Sequence, residues 1–311
     1  MGFTDNFIAV IVASATAFSG SFSEVNITAA PDTVNSVEQA NIDFASSLAQ
    51  TSNASFGVAI IDRAKKNKIY TSGDSAHREF ELGEMARLPI LLYAARVDKK
   101  VAQGKREDII SMVQGASSEA TDRAWKKYGG PGIIRDTAKR YNLQETKPGN
   151  NWNETTSSAV DIARLYRRFL DDKDVPVSTK KWVVSLLRKT SPTISGQDYT
   201  WGLPQAAGVG TDLDTDMQNK IGWMQGWSDE KGKSYRASTA ILGEDMRYIV
   251  VEMGMVGDNP SPSTANDVAS KVATALLTGD NGQSILGEED DKDDAVEAFR
   301  ESQAEKFGFK S

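Results

Sequence analysis

Phe80-Glu81-Leu82-Gly83-Glu84-Met85-Ala86-Arg87-Leu88-Pro89-Ile90-Leu91-Leu92-Tyr93-Ala94-Ala95-Arg96 reads as an apolar helix entered from a polar loop. The run from Leu88 to Ala95 is apolar throughout. Two charged residues interrupt its entrance, Glu84 and Arg87, spaced so that they are neighbours on one helical face. The rest of the chain is read outward from that pair.

Immediately upstream, Phe56-Gly57-Val58-Ala59-Ile60-Ile61-Asp62 has the pattern of a buried strand, and Lys68-Ile69-Tyr70-Thr71 that of a short second strand. The polar turn Arg63 to Asn67 joins them into a hairpin. Before the hairpin, Val37, Ile42, Phe44, Ala45 and Leu48 recur at mostly helical spacing over 36–50, with Ser36 as N-cap and Glu38 nearby. Downstream, residues 105–189 read as helices in pieces, stopped at Gly129-Gly130-Pro131 and Lys147-Pro148-Gly149-Asn150-Asn151. Residues 234–242 and 246–253 form a second hairpin around Gly243-Glu244-Asp245, and 263–277 a closing helix that packs through Val268, Val272, Ala275 and Leu276.

The two ends differ from this middle. Phe7 to Phe18 is apolar and rich in small residues, with Ala13-Ser14-Ala15 or Ala15-Thr16-Ala17 as a cleavage site, so 1–18 reads as an export signal or, if uncleaved, an apolar N-terminal segment. Its first six residues carry Asp5 and no Lys or Arg, an atypical start for such a signal, and the run is too short to span a bilayer. Residues 19–35 read as a linker and 279–311 as an acidic tail containing Glu288-Glu289-Asp290-Asp291-Lys292-Asp293-Asp294. The globular domain is then 36–278. Solvation accounts for the charges of the tail, while Phe299, Phe307 and Phe309 suit it to holding a protein partner.

Composition removes several function classes. The 311 residues carry 36 Lys and Arg against 43 Asp and Glu, a net charge of −7, and no long basic cluster, which argues against a nucleic-acid binder. Lys65-Lys66 and Lys126-Lys127 read as solvated turns. There is no Cys, hence no disulfide, thiolate nucleophile or Cys-based metal site, and His77 is the single His. A Ser-His-Asp arrangement would depend on that one residue, which sits in a polar loop. No cofactor or metal is expected.

The stretch 80–96 resembles the helix that carries the Ser-x-x-Lys motif of serine β-lactamases and penicillin-binding proteins, where Phe-x-x-x-Ser-x-x-Lys-Leu-Pro places the nucleophile at a helix start. Glu84 stands at the Ser position and Arg87 at the Lys position. Arg cannot accept a proton near neutral pH, so this pair cannot run the chemistry of that family. Met112 to Trp125 resembles the segment holding the relay Ser and Asn, with Ala116, Ser117 and Ser118 at its Ser-Asp-Asn positions. Thr155-Thr156-Ser157-Ser158-Ala159-Val160-Asp161-Ile162-Ala163 matches the Thr-Thr helix start, with Thr156 or Ser157 as N-cap and a structural Asp161. No Glu-x-x-Leu-Asn occurs between Leu143 and Thr155, which leaves Glu145 and Glu154 as loop carboxylates. Tyr199 to Pro204 and Lys220-Ile221-Gly222-Trp223-Met224 resemble the Trp-Gly loop and the Lys-Thr/Ser-Gly strand, with Ile221 at the hydroxyl position.

The resemblance implies an α+β fold of the serine β-lactamase type, an antiparallel sheet flanked by helices plus an all-helical subdomain. The α/β part would be 36–75 and 195–278, and the helical part 76–194. It further implies Glu84 facing Arg87 along its helix and Lys220 across a cleft that Glu84 and Trp223 could plug. Taken together, the substitutions point to a non-catalytic binding or scaffold subunit in the cell envelope, with an envelope protein as its partner. Two other readings stay open. One is a hydrolase using Ser117 or Ser118, or Glu84 with His77 as base; the other is a peptidoglycan-fragment or carboxylate binder using Arg87, Lys220 and Trp223.

Overall fold

The computed structural model describes residues 36–194, 196–209, 220–230, 232–243, 245–257, 259–280 and 284–285. The export signal, the linker and nearly all of the acidic tail lie outside them. Ser36 caps helix α1 (Val37–Thr51), its hydroxyl accepting from Gln39 N. Strands β1 (Ala54–Asp62) and β2 (Lys68–Thr71) follow as an antiparallel hairpin. Lys65 in its turn is not simply solvated: its ammonium bonds the buried Glu38 carboxylate at 2.7 Å, tying the turn to α1.

A short strand β3 (Phe80–Glu81) and a single 3-10 turn (Gly83–Ala86) lead into α2 (Arg87–Val97). As its all-round apolarity requires, α2 is central, with Leu88, Pro89, Ile90, Leu91, Leu92, Ala94 and Ala95 buried. Around it come α3 (Lys99–Ala102), α4 (Glu107–Gln114), α5 (Ser118–Tyr128) and α6 (Pro131–Tyr141). Gly129 adopts φ 104° at the end of α5, and Pro131 begins α6 where its missing N–H costs nothing.

Strand β4 (Thr156–Ser157) pairs with β3, so the two residues expected to cap the next helix lie in a ladder instead. Ser158 caps α7 (Ala159–Asp171), accepting from Asp161 N at 3.1 Å. After α8 (Val177–Leu187), the small pair β5 (Thr193–Ile194) and β6 (Gln197–Asp198), and the one-turn α9 (Leu203–Ala206), the chain returns to the sheet. Strands β7 (Gly222–Glu230), β8 (Lys233–Leu242) and β9 (Tyr248–Val256) complete it, and α10 (Pro262–Thr278) closes the fold.

The main sheet is antiparallel throughout, in the order β2-β1-β9-β8-β7. The period of two separates its side chains into two cores. Ala59, Ile61, Met224, Ala237, Ile241, Ile249, Val251 and Met253 face the helical lobe around α2. Val58, Ile60, Ile221, Trp223, Ala240, Leu242 and Val250 face α1 and α10. Asn41 of α1 donates to Leu276 O at 3.1 Å, which joins those two helices. The fold continues a little past the expected boundary at 278, since Ile285 is buried and its N donates to Leu277 O at 3.1 Å.

Candidate functional site

The turn carrying Glu84 is pressed onto strand β7, and two glycines make that approach possible. A Cβ on Gly226 would lie 2.2 Å from Met85 N and 2.4 Å from Leu82 O; one on Gly83, at φ 50°, would lie 2.2 Å from Trp227 O. Glycine within a strand marks this kind of backbone contact. The residues opposite the Glu84 turn are therefore Met224, Gln225, Gly226 and Trp227.

This corrects the expected partner of Glu84. Gly222 lies against the end of α8, its Cβ position 3.3 Å from Leu187 Cβ and 3.4 Å from Val184 O, and Arg188 reaches the Lys220 carbonyl at 3.4 Å. Four residues of strand separate Gly222 from Gly226, roughly 13 Å at the usual rise. Gly-Trp occurs twice on this strand, at 222–223 and 226–227, and the second copy meets the turn. Trp223 does not plug the Glu84 site either. It is buried in the opposite core, its ring 5.7 Å from that of Tyr199.

Arg87 is the centre of the arrangement. Only 2% exposed, its guanidinium forms an ion pair with Glu84, donates through NH2 to Ala116 O at 2.7 Å, and donates through Nε to Thr121 Oγ1 at 3.1 Å. It also lies 5.7 Å from the ring of Trp152, whose indole N–H donates to Asp122 at 2.7 Å. Burial lowers the Arg87 pKa, and the Tyr199 phenol opposes that shift. The guanidinium stays charged regardless. Ala116 presents its carbonyl from a left-handed conformation, φ 46°, and the Thr121 hydroxyl donates to Ser117 O at 2.8 Å.

The outer side of β7 is occupied as well. Tyr199 OH donates to Gln225 O at 3.4 Å and Thr190 Oγ1 to Trp223 O at 3.4 Å. Burial raises the Tyr199 phenol to about 12, with Arg87 pulling the other way, so it remains a donor at neutral pH.

The serines offered as alternative nucleophiles have structural duties. Ser117 caps α5, accepting from Ala120 N, and its hydroxyl donates to Glu119 at 3.1 Å; Ser118 is exposed on the first turn. His77 pairs with Glu145, Nδ1 to Oε1 at 3.1 Å, rather than with Glu84. Ser158 donates to the other Glu145 oxygen at 3.3 Å, which puts the carboxylate between serine and imidazole, the wrong order for a base to activate a nucleophile. Glu145 is thus more than the solvated carboxylate expected. Burial pushes its pKa up, but the bonds from His77 and its neighbours outweigh this and hold it low. Asp161 is fully buried beneath it, taking Glu145 N at 2.7 Å and Thr146 Oγ1 at 3.0 Å, and burial raises its pKa. Glu154 closes its own turn with Asn150 N and Asn151. Among the described residues, no three carboxylate or imidazole groups converge as a metal site.

The fold is that of the class A β-lactamases. A β-lactamase from Chitinophaga pinensis superposes with a TM-score of 0.60 at 13% identity, covering 78% of this chain and 99% of that one. A class A β-lactamase from Bacteroides cellulosilyticus gives 0.58 at 14% identity, over 78% and 98% of the two chains. PBP-A gives 0.53 at 14%, over 75% and 96%. In sequence, the chain is 29% identical over 206 residues to proteins named "Putative lipoprotein LppW" in Mycobacterium tuberculosis and Mycobacterium bovis, 64% of this chain. It spans 62% of the length of those relatives. No protein-family model matches it.

Proposed function

We propose that this protein is a non-catalytic member of the β-lactamase fold, an exported subunit of the cell envelope that acts by binding another protein. The observation that carries the reading is the state of Arg87. It occupies the position from which a neutral lysine would assist a serine, and it is spent on holding Glu84, the Ala116 carbonyl and the Thr121 hydroxyl in a buried cluster. A guanidinium fixed in that way is neither a base nor a free ligand for a substrate carboxylate. The strand across from Glu84 supports the same reading, because Met224-Gln225-Gly226 offers neither the lysine nor the hydroxyl needed to hold a β-lactam. The name of the mycobacterial relatives supports an envelope location.

The test is intact-protein mass spectrometry after incubation with a fluorescent penicillin. The natural protein is expected to show no adduct. So is Glu84→Ser/Arg87→Lys, because restoring the helix motif leaves the strand without its lysine and hydroxyl. A stoichiometric adduct on the natural protein would overturn the proposal and identify the true nucleophile.

A further inference from the structure

The charge of this protein is segregated. Residues 96–194 carry 20 Lys and Arg against 12 Asp and Glu, a net +8 within a chain of net −7. At one corner of the helical lobe the basic residues gather in space. The Arg96 guanidinium lies 5.1 Å from the Tyr93 ring, Tyr93 meets Tyr128 edge to face at 6.4 Å, and the Lys127 ammonium lies 4.9 Å from the Tyr128 ring. Asp98 is neutralised there by Lys127 at 3.1 Å and Arg106 at 3.8 Å. The loop after α3 touches α8, with the Gly104 Cβ position 2.7 Å from Trp182 Nε1. The ends of α2 and α5, the whole of α3 and the first half of α8 therefore converge.

Lys99, Lys100, Lys105, Lys126 and Lys181 are exposed on these elements. Glu107 is the exposed acid nearest to these lysines in sequence; Asp122 on α5 and Asp174 before α8 are exposed too, Asp174 paired with Arg140, while Asp98 and Asp108 are both held in ion pairs with Arg106. Among the described residues, two large apolar side chains are exposed, Val97 at 46% and Val177 at 66%, and both belong to this group of elements. Val97 ends α2, separated from Lys99 and Lys100 only by the ion-paired Asp98. Val177 starts α8, five residues and about 7.5 Å of helix before Trp182.

We infer that this corner of the helical lobe docks on an anionic phospholipid surface. Lysines near such a surface are each worth roughly a fivefold gain in partitioning. Acids elsewhere on the molecule count for little beyond a Debye length of about 8 Å. The lysines alone would fit any polyanion. Val97 and Val177 decide for a bilayer, since apolar side chains among basic ones gain by entering the interfacial layer and gain nothing from a hydrophilic polymer. The inference is independent of whether the Glu84 site is inert, and the penicillin result does not bear on it.

The experiment is co-sedimentation of the full chain with vesicles of phosphatidylcholine alone, or with roughly one-third phosphatidylglycerol. Binding is expected to the anionic vesicles only and to weaken as salt rises. Lys99→Glu/Lys100→Glu/Lys181→Glu should lower it by about a hundredfold or more at low salt. Val97→Ser/Val177→Ser should lower it by several-fold, with circular dichroism confirming that both variants are folded. Absence of binding to anionic vesicles, equal binding to both vesicle types, or insensitivity to the lysine reversals would overturn the proposal. So would binding that ignores the valine substitutions and is fully competed by soluble polyphosphate, which would make the corner a polyanion site instead.

Discussion

Glu252 makes a quantitative prediction about pH. It lies in the middle of β9, opposite Ser238 on β8 and Val58 on β1, and is fully buried with neither carboxylate oxygen hydrogen-bonded among the described residues. The Trp201-Gly202 loop seals it, since a Cβ on Gly202 would sit 2.7 Å from its Oε1. Burial raises its pKa well above the ordinary carboxylate value, so the native state holds this group protonated where the unfolded chain releases the proton. A folded pKa above the unfolded one means that nothing is lost below the unfolded value, near pH 4.3, and that stability falls as pH rises from there toward the folded value, by about 1.4 kcal/mol per pH unit. Glu252→Gln keeps the shape and removes the proton. As pH rises above the unfolded value the variant should therefore gain on the natural protein, by at most about 1.4 kcal/mol per pH unit and until the folded pKa is passed, starting from near equality at about pH 4. Urea denaturation of both proteins at pH 4, 5, 6 and 7 measures this. Parallel stability curves across that range would refute the reasoning and show that Glu252 is ionised in the native state.

The contact between β7 and the Glu84 turn predicts that Gly226→Ala costs about 3 kcal/mol or more, because the clashing atoms are backbone and have nowhere to move. Gly132→Ala, whose Cβ would meet nothing within 4 Å, serves as the control and should change thermal stability little or raise it. Arg87→Met should cost about 3–5 kcal/mol by stranding Glu84, and adding Glu84→Gln should recover part of that loss in a double-mutant cycle read by urea melts. Ser158→Ala removes the α7 cap and a bond to Glu145, and should lower stability by about 1–2 kcal/mol in the same assay.

The order of elements was legible in the sequence because each carries a local signature. The all-round apolarity of 88–95, the glycines and proline at 129–131, and the two hairpins each specify an element without help from afar. What escaped was set by pairing at long range. Thr156 and Ser157 look as fit to cap a helix as Ser158, and only their ladder with Phe80 and Glu81 takes them out of contention. The two Gly-Trp pairs of β7 differ by four residues and so share a face, which leaves the pattern of side chains unable to say which one meets the turn. Gly226 carried a usable signal as a glycine inside a strand, one that points to close backbone approach. Glu145 carried none, because its environment is made by His77 and Asp161, far from it in sequence or hidden beneath it.

The joining of α1 to α10 has a consequence for how the chain can be cut. Asn41, near the first turn of the fold, bonds Leu276, near its last. The backbone path thus returns almost to its origin. Such a path tolerates circular permutation, in which a short Gly/Ser bridge connects the two helices and new ends open at the polar Arg63–Asn67 turn. In that rearranged chain the hairpin would be split and the sheet order kept, so its folding would report whether the β1-β2 connection is needed to assemble the sheet or only to close it.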